Sequence, residues 1–264
     1  MTDNLKAPEP VKPKPRLMLG KLAPKPHLKT LVLAKYLTPL LPPPPEKVYR
    51  EYKIPLDAWG MFGNDKIGNC TFACIAHLLM LVTAHTGRLV IPEEADVIKG
   101  YSAVTGYDPK TGLNDNGAAI TDVLNYWQTE GLAGHKILGW AKIDHTSPLA
   151  HHQGIYIFGG NDIGVELPNV AQEQFNDGKN WEVVPNDGGI DGGHCILESG
   201  YGADGSNYCS WGKGDQKASN AWSDKYCDEG YVVITKDWIN EASGLAPNLL
   251  NLDALIADLK AMAR

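Results

Sequence analysis

The chain has 264 residues, of which 43% are hydrophobic and 21% charged, with a formal net charge of -7. That balance excludes a disordered or fibrous polymer and fits one catalytic-size domain with an appendage. No apolar run approaches the roughly 18 to 20 residues that span a bilayer, and the start has no charged-then-apolar-then-small export pattern, so the expectation is a cytoplasmic or virion-associated protein away from membranes.

Residues 1–50 hold ten Lys/Arg against three Asp/Glu, whereas the rest holds fourteen against twenty-eight. Eleven of the 18 prolines also fall there, including the run 42–45. Proline fixes φ and removes a backbone donor, so 1–50 reads as an extended basic arm with one short element at 28–41. The arm lacks the Arg clusters and interleaved aromatics of phosphate and base contacts, which argues against nucleic acid. It is expected either as a passive spacer or as an arm docked on an acidic surface, its own or that of an assembly partner.

From residue 57 the composition turns globular, and 51–264 reads as one domain. Residues 71–85 contain no Gly or Pro and are apolar nearly all round, which predicts a buried helix, with Gly68 and Asn69 interrupting regular structure before it. Further helices are predicted at 96–101 and 118–129, the latter between Gly117 and Gly131. Short segments rich in β-branched or aromatic residues then predict strands at 135–143, 154–159, 181–184, 195–200, 208–211 and 230–235, and 249–262 reads as an amphipathic helix. Helices first and strands later predict an α+β fold with two facing subdomains.

Five cysteines, Cys70, Cys74, Cys195, Cys209 and Cys227, are odd in number and irregularly spaced, against a disulfide framework and for a free thiol. Cys70 stands where the predicted helix begins. A thiol there gains from the positive end of the helix dipole, which favours the thiolate. His194 follows a glycine-rich stretch and enters a strand, where an imidazole can face a helix start across a cleft and take the thiol proton. His77 lies on the helix of Cys70 but about 10 Å along its axis at 1.5 Å per residue, too far to serve. Cys70, Cys74 and His77 share one helix face, yet two helical turns separate the outer pair, so they cannot close on one ion; no metal and no cofactor are expected.

Asn64 stands six residues before Cys70, His194 precedes Gly200-Tyr201-Gly202, Ser210-Trp211-Gly212 follows, and Gly230-Tyr231-Val232 closes the series. This order of segments resembles the papain-like cysteine peptidases. The resemblance covers about residues 57–240 and looks nearest to bacterial and phage-associated members. It implies a central helix starting at the nucleophilic Cys70, packed in a helical subdomain against an antiparallel sheet or barrel. It also implies His194 as base, an oxyanion site from Asn64 and the Cys70 backbone N–H, Trp211 shielding the base, and Gly68 and Gly193 lining the cleft. Two positions depart from the family pattern: Asn64 replaces a Gln, and Cys209 replaces the Asn that orients the base. Asn207, on the same strand face as Cys209, and Asp191 are the candidate replacements. The expected activity is hydrolysis of peptide or amide bonds in a peptide or protein substrate. The alternative is a weakened or inactive papain-fold assembly protein, virion- or phage-associated, that uses its arm for self-association.

Overall fold

The computed structural model describes residues 15–25, 30–38, 41–236, 238 and 251–262. Seven α-helices are described: α1 (Cys70–His85), α2 (Glu94–Thr105), α3 (Ile120–Thr129), α4 (Pro148–Phe158), α5 (Asn169–Asn176), α6 (Asn220–Tyr226) and α7 (Leu252–Met262). Eight described strands accompany them: β1 (Leu31–Val32), β2 (Val48–Tyr49), β3 (Gly139–Lys142), β4 (Asn161–Pro168), β5 (Ile190–Gly202), β6 (Gly205–Ser210), β7 (Lys213–Ala218) and β8 (Cys227–Ile234). They form one sheet in the order β1-β3-β8-β4-β5-β6-β7, antiparallel except for β1 on β3, with β2 added to β5. This is the α+β arrangement expected, a helical side facing an antiparallel sheet.

The α1 helix is buried from Cys70 to Ala84, as its all-round apolar sequence requires. It packs with α2 and α3 against one face of the sheet, while α4, α5 and α6 cover the other. Successive side chains of β5 therefore divide between two cores: Cys195 and Leu197 lie on the α1 side, and Ile196 on the opposite side with Ile163, Tyr208 and Trp222. No described helix is long and apolar enough to cross a membrane.

Two local expectations are corrected. Residues 154–159 fall in the helix α4, because Pro148 at its first turn and Ser147, whose hydroxyl accepts from Ala150 N, start a helix that then runs through the apolar stretch. Residues 181–184 form no strand beyond a single bridge from Trp181 to Ala218. Of the element expected at 28–41, β1 and a 3₁₀ turn at Leu33–Lys35 are seen; residues 26–29, 39–40 and 249–250 lie outside the described set.

Candidate active site

The approach to Cys70 is a tight turn. Phe62 and Gly63 both have positive φ, and Asn64 inside that turn donates from Nδ2 to the Ile67 carbonyl at 3.1 Å. Asn69 precedes the helix and donates to Phe62 O at 2.8 Å, while its own carbonyl accepts from Phe72 N and Ala73 N. Gly68 N is held by both carboxylate oxygens of Asp115 at 2.9 and 3.1 Å, and Asp115 also accepts from Tyr101 OH at 2.7 Å. Cys70 is thereby fixed as the first residue of α1, with its thiol against the backbone of Cys195, the residue after His194. Asp115 gave no sequence signal, since it bonds to Gly68 from a loop 47 residues away.

His194 pairs with Val165 of β4, and its Nε2 lies 2.8 Å from Ser210 Oγ. Its ring stacks on Trp211, with centroids 4.3 Å apart and planes 20° from parallel. Among the described residues its buried Nδ1 has no hydrogen-bond partner, and no hydrogen bond joins Cys70 to His194. The imidazole partner is thus Ser210 rather than Cys209, Asn207 or Asp191. Strand alternation explains the correction. Leu197 pairs with Cys209, and both face α1. One residue on, Ser210 faces the other side, the side of Ile196 and hence of His194. Asn207 donates to Ser199 Oγ and Gly214 O, each at 3.0 Å. Asp191 accepts from Gln172 Nε2 at 2.7 Å and pairs with Arg16.

Trp211 and Gly212 join β6 to β7, and both have positive φ, as a two-residue hairpin of the I′ type requires. Gly takes that conformation freely, but a Trp there is strained by about 1–2 kcal/mol. The strain is offset by the stack on His194 and by the bond from Trp211 Nε1 to Met18 O at 2.9 Å.

Met18 belongs to the arm, which lies along the cleft. Gly20 N and Lys21 N donate to Gly193 O at 3.2 and 3.0 Å. On the other wall Ala118 N donates to Gly20 O at 2.9 Å, and Leu22 N to Ala118 O at 3.0 Å. The approach is so close that a Cβ on Gly20 would stand 1.9 Å from Gly68 O, one on Gly117 2.1 Å from Gly20 O, and one on Gly193 2.2 Å from Lys21 O. Upstream, Leu17 N donates to Gln172 Oε1 and Leu17 O accepts from Gln172 Nε2.

Burial sets the electrostatics. Cys70 and His194 are each 1% exposed. Burial pushes the Cys70 thiol up to about 12 against the pull of its hydrogen bond with the Cys195 backbone. Burial, with the Lys21 charge adding to it, brings His194 down to about 3. In this closed form the two groups are a neutral thiol and a neutral imidazole.

Among the described residues, Cys74, Asp162 and Cys195 bring their ligand atoms within 4.8 Å of one another. Cys195 Sγ donates to Asp162 Oδ1 at 2.9 Å and Cys74 Sγ at 3.4 Å. Burial raises Asp162 to about 7 against those bonds. His77 is not part of this cluster: its Nε2 lies 2.8 Å from Gly60 O and its ring packs on Trp59 and Phe62.

The chain matches no family model and no curated protein sequence. Its fold is nevertheless that of the papain-like cysteine proteases. Over 85% of this chain and 98% of the other it superposes on xylellain, a cysteine protease from Xylella fastidiosa, with TM-score 0.64 at 15% identity. Digestive procathepsin L 3 of Tenebrio molitor matches 80% of this chain over 75% of its own, with TM-score 0.58 at 13% identity. The Carica candamarcensis cysteine protease CMS1MS2 matches 72% of this chain over 99% of its own, with TM-score 0.50 at 15% identity.

Proposed function

We propose that this chain is a papain-fold cysteine hydrolase of peptide or amide bonds, held latent by its own residues 15–25. The observation that supports this reading most strongly is the occupant of the cleft. An extended peptide lies hydrogen-bonded to Gly193 on one wall and Ala118 on the other, against the turn that leads into Cys70. A cleft that holds a backbone in this way is shaped for polypeptide.

Once the arm leaves, water returns to Cys70 and His194 and the burial that holds both neutral is relieved. His194 carries its proton on Nε2, donating to Ser210 Oγ, which leaves Nδ1 as the acceptor. Nδ1 takes the Cys70 proton and the thiolate adds to the scissile carbonyl carbon. The oxyanion is received by the Cys70 backbone N–H and by the Asn64 amide hydrogen not spent on Ile67. Collapse of the adduct breaks the C–N bond, and His194 returns the proton to the departing amine. Water then cleaves the thioester, giving its proton to Nδ1, and the acid leaves as the Cys70 thiol reforms.

The test is cleavage of a mixed peptide library by the full chain carrying Gly20→Val, which drives the arm against Gly68 O. Cleavage abolished by Cys70→Ala supports the reading. A second reading, a papain-fold scaffold without catalysis, rests on the missing Cys70–His194 hydrogen bond, and it is the one left standing if no peptide is cut.

A further inference from the structure

The backbone of residues 20–22 makes contacts that any extended peptide could make; the side chain of Lys21 does not. It is fully buried, and Nζ reaches Asp228 Oδ2 at 2.8 Å, Glu229 Oε1 at 3.4 Å and Leu22 O at 3.3 Å. Glu229 is itself 1% exposed, and its second oxygen accepts from Tyr231 OH at 2.8 Å. Asp228 Oδ1 is buried and has no hydrogen-bond partner among the described residues. The lysine stem passes over Gly164, where a Cβ would stand 2.8 Å from Lys21 Cδ and 2.6 Å from Glu229 Cγ. Gly164 pairs with Cys195 on one side and Glu229 on the other, so the pocket opens beside the residue that follows His194. Only a glycine at 164 leaves room for the stem.

We infer that Asp228, Glu229 and Gly164 form a subsite next to Cys70 that takes a lysine or arginine side chain of a peptide substrate, and that Lys21 occupies it as a stand-in. This rests on the hydrolase reading and names its substrate class. The physical reason is the state of the empty pocket. Without Lys21, the carboxylates of Asp228 and Glu229 would stand side by side at the opened pocket, close to the buried Asp162, and that concentration of negative charge attracts a cation. The pocket therefore selects a cationic guest over an apolar one of equal length. The charge of Lys21 is felt at both Cys70 and His194, which agrees with a place at the reacting centre.

The experiment compares two peptidyl acyloxymethyl ketones on the full chain carrying Gly20→Val, one with lysine and one with uncharged norleucine at the residue before the ketone or one further back. Labelling of Cys70 at least about tenfold faster with lysine in one of those positions, and a preference lost in Asp228→Asn/Glu229→Gln, is expected. Equal labelling overturns the subsite and leaves the hydrolase reading intact. If neither reagent labels Cys70 while iodoacetamide does, the hydrolase reading fails. A readout independent of catalysis then decides the pocket. In the otherwise unaltered chain, Lys21→Met should expose Cys70 to iodoacetamide while Lys21→Arg keeps it covered; equal protection in the two variants overturns a cation pocket.

Discussion

Gly20 is the point at which the closed form is most exposed to a single substitution. Its Cα lies so near the turn before Cys70 that an added Cβ would meet Gly68 O at 1.9 Å and Gly68 C at 2.5 Å, both backbone atoms that cannot swing aside. Gly20→Val therefore forces the arm out of the cleft while altering no residue of the proposed machinery. The consequence for Cys70 follows from its ionisation. Buried, the thiol stands at about 12, against an ordinary value of 9.0. A return to that value raises the thiolate fraction near neutral pH by about 10³-fold. Intrinsic nucleophilicity falls with thiol pKa at a Brønsted slope of about 0.45, which takes back a factor of about 20. Full relief of burial would make alkylation about 50-fold faster before any gain in access, and the loss of the Lys21 charge, which favours the thiolate and leaves with the arm, brings the expected gain below that ceiling. Brief iodoacetamide treatment at about pH 7.5 followed by peptide mass mapping measures it, with Cys74, Cys195 and Cys209 as buried internal standards. An unchanged rate at Cys70, or acceleration spread evenly over all the buried thiols, would refute the argument, the second because it signals general loosening.

Three further outcomes are expected. Ser210→Ala removes the partner of His194 Nε2 and should slow acyl-probe labelling of Cys70 by about 10- to 100-fold, the worth of one buried hydrogen bond, and lower the melting temperature by several degrees because the ring nitrogen is left buried and unpaired. Cys209→Asn should not improve the site, because Cys209 faces the α1 core; burying an amide there should instead cost about 1–3 kcal/mol, read from the urea midpoint. Asp162 is raised by burial from 3.8 to about 7, so the folded state favours its protonated form. Its contribution is present below about pH 4 and is lost as pH rises through about 7, a change of a few kcal/mol. Asp162→Asn should therefore gain stability relative to the parent between about pH 4.5 and 8 in thermal melts, and an unchanged difference across that range would reject the assignment.

The elements that carry the candidate site can be read from the order of residues. A Gly-Asn break before an all-apolar helix places Cys70 at a helix start, and the glycine-rich entry to an apolar run places His194 on a strand. The remainder depends on contacts across the fold. The family pattern puts Cys209 at the position that orients the base, with Asn207 and Asp191 as replacements between which spacing does not choose, whereas the face is set by the pairing of Leu197 with Cys209, which puts Ser210 one step round. The 154–159 stretch is apolar and short, and helix and strand are hard to separate on such runs; the Ser147-Pro148 start is the signal that resolves it. The basic charge of the arm suggests an acidic surface, but nothing in the sequence ties Lys21 to Asp228 and Glu229, more than 200 residues away.

The central claim is that Cys70 and His194 act together once the arm is displaced. Intact-mass analysis of the Gly20→Val chain after exposure to a peptidyl acyloxymethyl ketone tests it most directly. The expected result is one adduct per chain, mapped to Cys70, absent in Gly20→Val/Cys70→Ala and slowed by about 10²-fold or more in Gly20→Val/His194→Ala. An adduct that forms equally fast without His194, or none at Cys70 although the thiol is open to iodoacetamide, would contradict the account.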